Sequence, residues 1–183
     1  LNNRQVKSLT TEQVAALETL QINNLKTSQV NALTPDQIEG IETSDIQYFS
    51  SDQIKAINLT QIPRLTEEQL NALKTDQLLA ISSQQAKTLS PEQLEKLNTN
   101  QIIFLTTQHV ASFSKSQLHS FLPENIPFFE TNDLQAIKTA NLASLLVEQI
   151  NSLQTDQIRG LSTVQIRGLA SSQLQSFCQL HHF

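Results

Sequence analysis

At 183 residues the chain is long enough for one domain with a sizeable core. Its 12 basic and 17 acidic side chains leave a net charge of −5, which excludes a protein built to grip nucleic acid through a basic face. No apolar run approaches the roughly 20 residues of a membrane span, and the lone Cys178 excludes an internal disulfide framework.

The chain opens on Leu1 rather than Met, as expected of part of a longer protein whose targeting signals lie outside it. From there a period of eight runs without insertion or deletion to Phe177. Counting each octad from its leading apolar residue, position 1 is Leu, Ile or Phe at every step, from Leu9 through Leu33, Phe49, Ile81, Leu97 and Leu145 to Phe177. Position 5 is Gln at most steps, with Asp45, His109, Asn125, Asp133 and Asn141 as hydrogen-bonding exceptions. Position 6 is Val, Ile or Leu from Val6 to Leu174, Ala86 excepted.

One long helix cannot use this pattern, because eight residues advance about 800° and rotate the apolar pair by roughly 80° per octad. A strand fails too, since apolar spacings of three and five conflict with a period of two. One short helix per octad satisfies both constraints. Two buried aliphatic side chains, each worth roughly 1.5–3 kcal/mol, do not offset an ordering entropy of about 1–2 kcal/mol per residue. Octads must therefore stack and share a core. The expected fold is all-α: a superhelical solenoid of about 22 eight-residue repeats, one short capped helix per repeat, spanning 1–183 as a single domain. Two to four octads are expected in each superhelical turn.

In chain order, the first octads sign their helix starts plainly. Thr10, Thr34 and Ser50 at position 2 are N-caps, and Gln13, Gln37 and Gln53 three residues later complete a capping box. Pro35 at position 3 suits a first helical residue. Glu12, Asp36 and Asp52 fall near the positive helix end, Lys7 and Lys55 near the negative one, so these charges follow the helix dipole. At Thr27, Thr43 and Thr75 the hydroxyl sits at position 3, and the cap is expected to move with it. Position 8 is mostly Ala, Ser or Gly, read as the close approach of a neighbouring backbone; Tyr48 there is expected to pack on a neighbouring turn. The Gln of position 5 carries donor and acceptor without charge, which predicts a ladder of amides bonded to backbone of their own or adjacent octads.

Pro63 and Pro127, at position 7, fall inside expected helices, which are then expected to stop after position 6. Asn58-Leu59-Thr60 spells a glycosylation sequon, a match near chance. The segment 103–130 breaks the pattern. Ile103 replaces a polar position 7, Phe104 and Phe128 replace a small position 8, and Leu122 replaces the cap. Phe113, Phe121 and Phe129 hold position 1 and belong to the core. Leu146 and Val147 add apolar groups two to three octads later, on the same face if a turn holds about three octads. Either the core thickens or bends here, or the surface binds a protein partner or a second copy.

His109 takes the Gln position and is expected to make a structural hydrogen bond. Cys178, His181 and His182 form C-x-x-H-H at the end, too few ligands for a metal site. With no Ser-His-Asp pattern, phosphate-cradling glycine loop or HExxH motif, neither catalysis nor a metal or other cofactor is expected.

Through LTTEQVAAL, LTPDQIEGI and LSTVQIRGL, the chain resembles the tandem L-[ST]-x-x-Q-[IV]-x-x octapeptide arrays of large bacterial exoproteins and secreted effectors. The resemblance covers essentially the whole chain. It implies a stalk, a spacer or an interaction surface in a secreted bacterial protein, and brings no catalytic residues. The expected function is a non-enzymatic scaffold that binds a protein partner through Ile103, Phe104, Leu122, Phe128, Leu146 and Val147, with a passive spacer as the alternative.

Overall fold

The computed structural model describes residues 1–175, which are helical with no strand among them. Helices of three to six residues follow one another from Asn3–Lys7 to Thr163–Gly168, one per octad. The chain divides into two compact units, Leu1–Leu89 and Ser90–Phe183.

Within each unit the solenoid is built by one residue type. Gln37 Oε1 accepts from the Thr34 N–H at 2.7 Å, while the Thr34 hydroxyl accepts from the Gln37 N–H at 3.2 Å. That closes the capping box of its own helix. The other end of the same amide reaches one coil back: Gln37 Nε2 donates to the carbonyls of Leu9 at 2.6 Å and Val6 at 3.0 Å. These carbonyls lie at the C-terminal end of the helix Asn3–Lys7, where an α-helix leaves its acceptors unsatisfied. Gln61 repeats the bonds to Leu33 and Val30, Gln149 to Phe121 and Leu118, and Gln165 to Ile137 and Leu134. One side chain thus caps two helices. The ladder reaches its own octad and the previous coil, 28 and 31 residues back, rather than the adjacent octad. Lags of 28 and 31 residues reach octads three and four back, so each superhelical turn holds three to four octads. Helices accordingly pack against those three octads on, as Asn3–Lys7 does on Thr27–Ala32 and Thr131–Ala136 on Thr155–Gly160.

The Gln also fixes the helix start. Where the hydroxyl sits at position 3 the cap does not move: the N–H groups of Lys26 and Lys74 donate to Gln29 and Gln77 at 2.7 and 2.8 Å. Thr27, Thr43 and Thr75 are simply the first helical residues. The N3 amide holds the register against a competing cap. Hydrogen bonds at the helix start also hold two exposed carboxyls below the usual range, Glu12 chiefly through the Thr10 hydroxyl and Glu92 chiefly through its own N–H, then Ser90.

Positions 1 and 6 form the core with the position-5 amides, which are buried from Gln29 onward in the first unit. In the second, Phe113, Phe121 and Phe129 stack at centroid distances of 5.7 and 5.0 Å, the latter pair edge to face. Position 8 is small for a different reason than a backbone approach. A Cβ on Gly40 would meet the methyl of Thr11 at 2.9 Å, and one on Gly168 the methyl of Thr139 at 2.7 Å, each 29 residues back. The neighbour is a threonine methyl from the previous coil. The two position-7 prolines do not end their octads after position 6. Having no N–H for the i−4 bond, they turn them into 3-10 helices, Ile62–Arg64 and Pro123–Phe128, that carry the chain past the proline.

Candidate interaction surface

The six apolar replacements fall on three helices of the second unit that pack in sequence: Thr99–Ile103 on Pro123–Phe128, and Pro123–Phe128 on Val147–Asn151. Ile103 and Phe104 end the first, Leu122 and Phe128 bracket the second, and Leu146 and Val147 begin the third. Phe104, Leu122 and Phe128 are 39–40% exposed, Ile103 and Leu146 slightly more, and Val147 is half-buried. They do not thicken the core. A side chain at position 7 meets the end of the octad 25 residues on, as Asn31 Nδ2 donates to the Ala56 carbonyl at 3.1 Å and Gln135 Nε2 to the Gly160 carbonyl at 2.6 Å. The residue 25 on from Ile103 is Phe128, so both positions are apolar where Asn31 and Gln135 make a polar clip. Other exposed large apolar residues, Leu20, Tyr48, Leu59, Leu79 and Val164, lie outside this strip. Tyr48 faces the Lys74 ammonium, 5.2 Å from the ring centroid.

A longer period, missed in reading the sequence octad by octad, sharpens the strip. The two units match at an offset of 88 residues, eleven octads: ETSDIQ at 42–47 answers ETNDLQ at 130–135. The match extends to a bond. Thr19 Oγ1 donates to Asp45 at 2.6 Å, and Thr107 Oγ1 donates to Asp133 at 2.8 Å. In both places Asp has replaced the ladder Gln, and a carboxylate, having no donor for the previous coil's carbonyls, takes a hydroxyl from that coil instead. Under the same offset Ile103, Phe104, Leu122, Phe128 and Leu146 stand where the first unit has Ala15, Ala16, Thr34, Gly40 and Asn58. Only Val147 replaces another apolar residue, Leu59.

Among the described residues both histidines bond backbone groups. His109 is buried, and its Nδ1 accepts the Thr106 N–H at 3.2 Å, copying the Gln acceptor as its position implied. His119 Nε2 bonds the Ser144 carbonyl from the surface. Burial is the main force raising the Asp133 carboxyl above its ordinary value, opposed by hydrogen bonds from Thr107 and the Glu130 backbone. No group of three metal-ligating side chains occurs among the described residues, and no helix there is long and apolar enough to cross a membrane. Cys178, His181 and His182 lie outside the described residues.

Together these features define an all-helical tandem-repeat protein. The family described as "ALTTAQ repeat" matches it twice, over residues 38–75 and 126–163. The two matches begin 88 residues apart, one in each unit, and leave more than half of the chain unmatched. No curated protein matches the chain.

Proposed function

We propose that the chain is a non-enzymatic scaffold that binds a protein partner through the strip on Thr99–Ile103, Pro123–Phe128 and Val147–Asn151. One observation carries this reading: five positions that are small or polar in the first unit are large and apolar in the second, on helices stacked against one another, and they stay solvent-exposed. Removing such groups from water on docking is a driving force that isolated surface leucines lack. The resemblance to exoprotein and effector arrays supports a secreted bacterial protein as the setting of this activity.

The test is capture of partners from host and bacterial lysates by the native chain and by a Phe104→Ser, Leu122→Ser, Phe128→Ser variant, with circular dichroism to show that the variant folds. A protein held by the native chain alone supports the reading. Equal capture by both moves the site to the polar positions 3, 4 and 7. No capture by either folded chain favours a passive spacer whose stacked coils set a distance.

A further inference from the structure

The apolar strip of the second unit replaces an ion pair of the first as well as its small side chains. In the first unit the Arg64 guanidinium donates to Asp36, 28 residues back, at 2.9 Å and also pairs with Glu39. At the offset of 88 residues Glu124 answers Asp36, Pro127 answers Glu39 and Ser152 answers Arg64. The second unit thus keeps a carboxylate at the start of Pro123–Phe128 and has lost the guanidinium that faced it. It also gains one: Glu148, in the first turn of Val147–Asn151, stands where the first unit has Thr60. Both carboxylates are exposed, and neither has an ion pair among the described residues. The three octads that carry the strip, 97–104, 121–128 and 145–152, contain no Lys, Arg or His.

While water surrounds them, such charges matter little to the fold. Docking changes that. Glu124 lies two residues after Leu122, and Glu148 directly follows Val147. An occupant that covers Leu122, Phe128 and Leu146 therefore takes water from both carboxylates, and a desolvated carboxylate without a partner is costly. The occupant must bring its own cations. A second copy docked through the same strip brings two more carboxylates and no cation.

The spacing selects the shape. Helices in contact stand about 8–10 Å apart, so the strip repeats at about that interval over its three helices. One face of an α-helix returns every seven residues, about 10.5 Å along its axis. One face of a strand returns every two residues, about 6.6 Å on, which falls between the rungs.

We propose that the strip takes a basic amphipathic helix of a partner protein, with large apolar side chains every seven residues and Arg or Lys beside them to pair with Glu124 and Glu148. This rests on the strip being a docking surface and specifies what docks there. The partner's cation does at Glu124 what Arg64 does at Asp36 within the first unit.

Selection of peptides on the immobilised 183-residue chain tests this. The probe is a displayed library of random peptides about 18 residues long, about 27 Å as a helix. Peptides whose binding is lost on Phe128→Ser or Leu122→Ser, in a variant that circular dichroism shows to be folded, report the strip. They are expected to carry Arg or Lys beside apolar residues spaced by seven, to become helical when bound, and to bind a Glu124→Gln, Glu148→Gln variant about tenfold more weakly. Strip-dependent peptides that lack a basic excess, bind in an extended form, or keep full affinity for the double Gln variant overturn the basic helix and leave the docking surface standing. If no selected peptide depends on Phe128 or Leu122, the docking surface fails and its occupant with it.

Discussion

The two units share a frame and differ in what they turn outward. At an offset of 88 residues both keep an apolar residue at position 1, with Phe121 answering Leu33 and Phe129 answering Ile41, and even the same substitution of Asp for Gln with its threonine donor. Yet Gly40 in one is Phe128 in the other, and the helix Pro35–Glu39 answers the 3-10 helix Pro123–Phe128. Glu39 keeps its N–H, whereas Pro127 has none, and the octad that loses the donor carries a phenylalanine where its counterpart has Gly40. The difference teaches that the ladder and the surface are separable: inward positions are bound to the coil behind them, and outward positions are free to diverge.

The largest expected effect should be blind to the difference between units. Gln61 and Gln149 are equivalent and fully buried, and each spans two helices. Replacing either by Leu leaves a helix N-terminal N–H without its acceptor and takes the amide donor from two carbonyls of the previous coil, although the Val30 carbonyl keeps the Leu33 N–H at 3.2 Å. At roughly 1–3 kcal/mol for each buried unsatisfied group, partly relieved by water, the loss should be about 2–5 kcal/mol in urea unfolding. A loss at Gln61 with none at Gln149 would break the equivalence of the two ladders.

The next effect should depend on the unit. Gly40→Phe puts a ring where a Cβ alone would stand 2.9 Å from the Thr11 methyl, with no proline to alter the octad. Overpacking of this kind costs about 1–3 kcal/mol. Adding Glu39→Pro, which copies the second unit, should recover part of that loss in thermal denaturation. No recovery would mean that Pro127 does not accommodate Phe128.

A smaller effect carries a pH signature. Burial raises the Asp133 carboxyl, so the native chain holds this proton more tightly than the unfolded chain. Ionisation therefore costs stability: that cost is present above the raised folded-state value, and is relieved as the pH falls through it towards the ordinary carboxylate range. Asp133→Asn removes the cost and supplies a donor for the Leu105 carbonyl, as Asn141 Nδ2 does for Phe113 at 3.0 Å. A stabilisation of about 0.5–1.5 kcal/mol at neutral pH is expected, shrinking on acidification in chemical denaturation. A gain that grows on acidification would contradict the burial of an ionised carboxylate.

How much of this was legible in the sequence differs by position. The fold was, because Leu or Ile at position 1, the cap at position 2 and Gln at position 5 each state one local rule, and all three agree at a period of eight. Helix starts with Lys26 or Lys74 as cap were misread, since a preference for hydroxyl caps was weighed against nothing, whereas the Gln amide already held the register. The pitch was legible only as a range of two to four octads per turn. It rests on what the second end of the amide finds, and no local propensity encodes a partner 28 residues away. The glycines were misassigned to backbone for the same reason: the Thr11 and Thr139 methyls come from the previous coil. The apolar strip could be picked out as exceptions, but that its members lie on three stacked helices and remain exposed needed the coil geometry.

The smallest expected effect on stability bears most directly on function. Phe128 is 39% exposed and contributes its ring to the surface rather than the core, so Phe128→Ser should change stability by no more than about 0.5 kcal/mol. Phe121, at position 1 of the same octad, is buried between two other phenylalanines, and Phe121→Ala should cost about 3–5 kcal/mol. The pair thus separates two uses of one residue type within eight positions. If Phe128→Ser leaves the melting curve in place yet lowers binding to a captured partner, the ring is there for contact. If it destabilises the unit as a core substitution does, the strip belongs to the packing of the second unit, and its divergence from the first would reflect a different way of closing the coil.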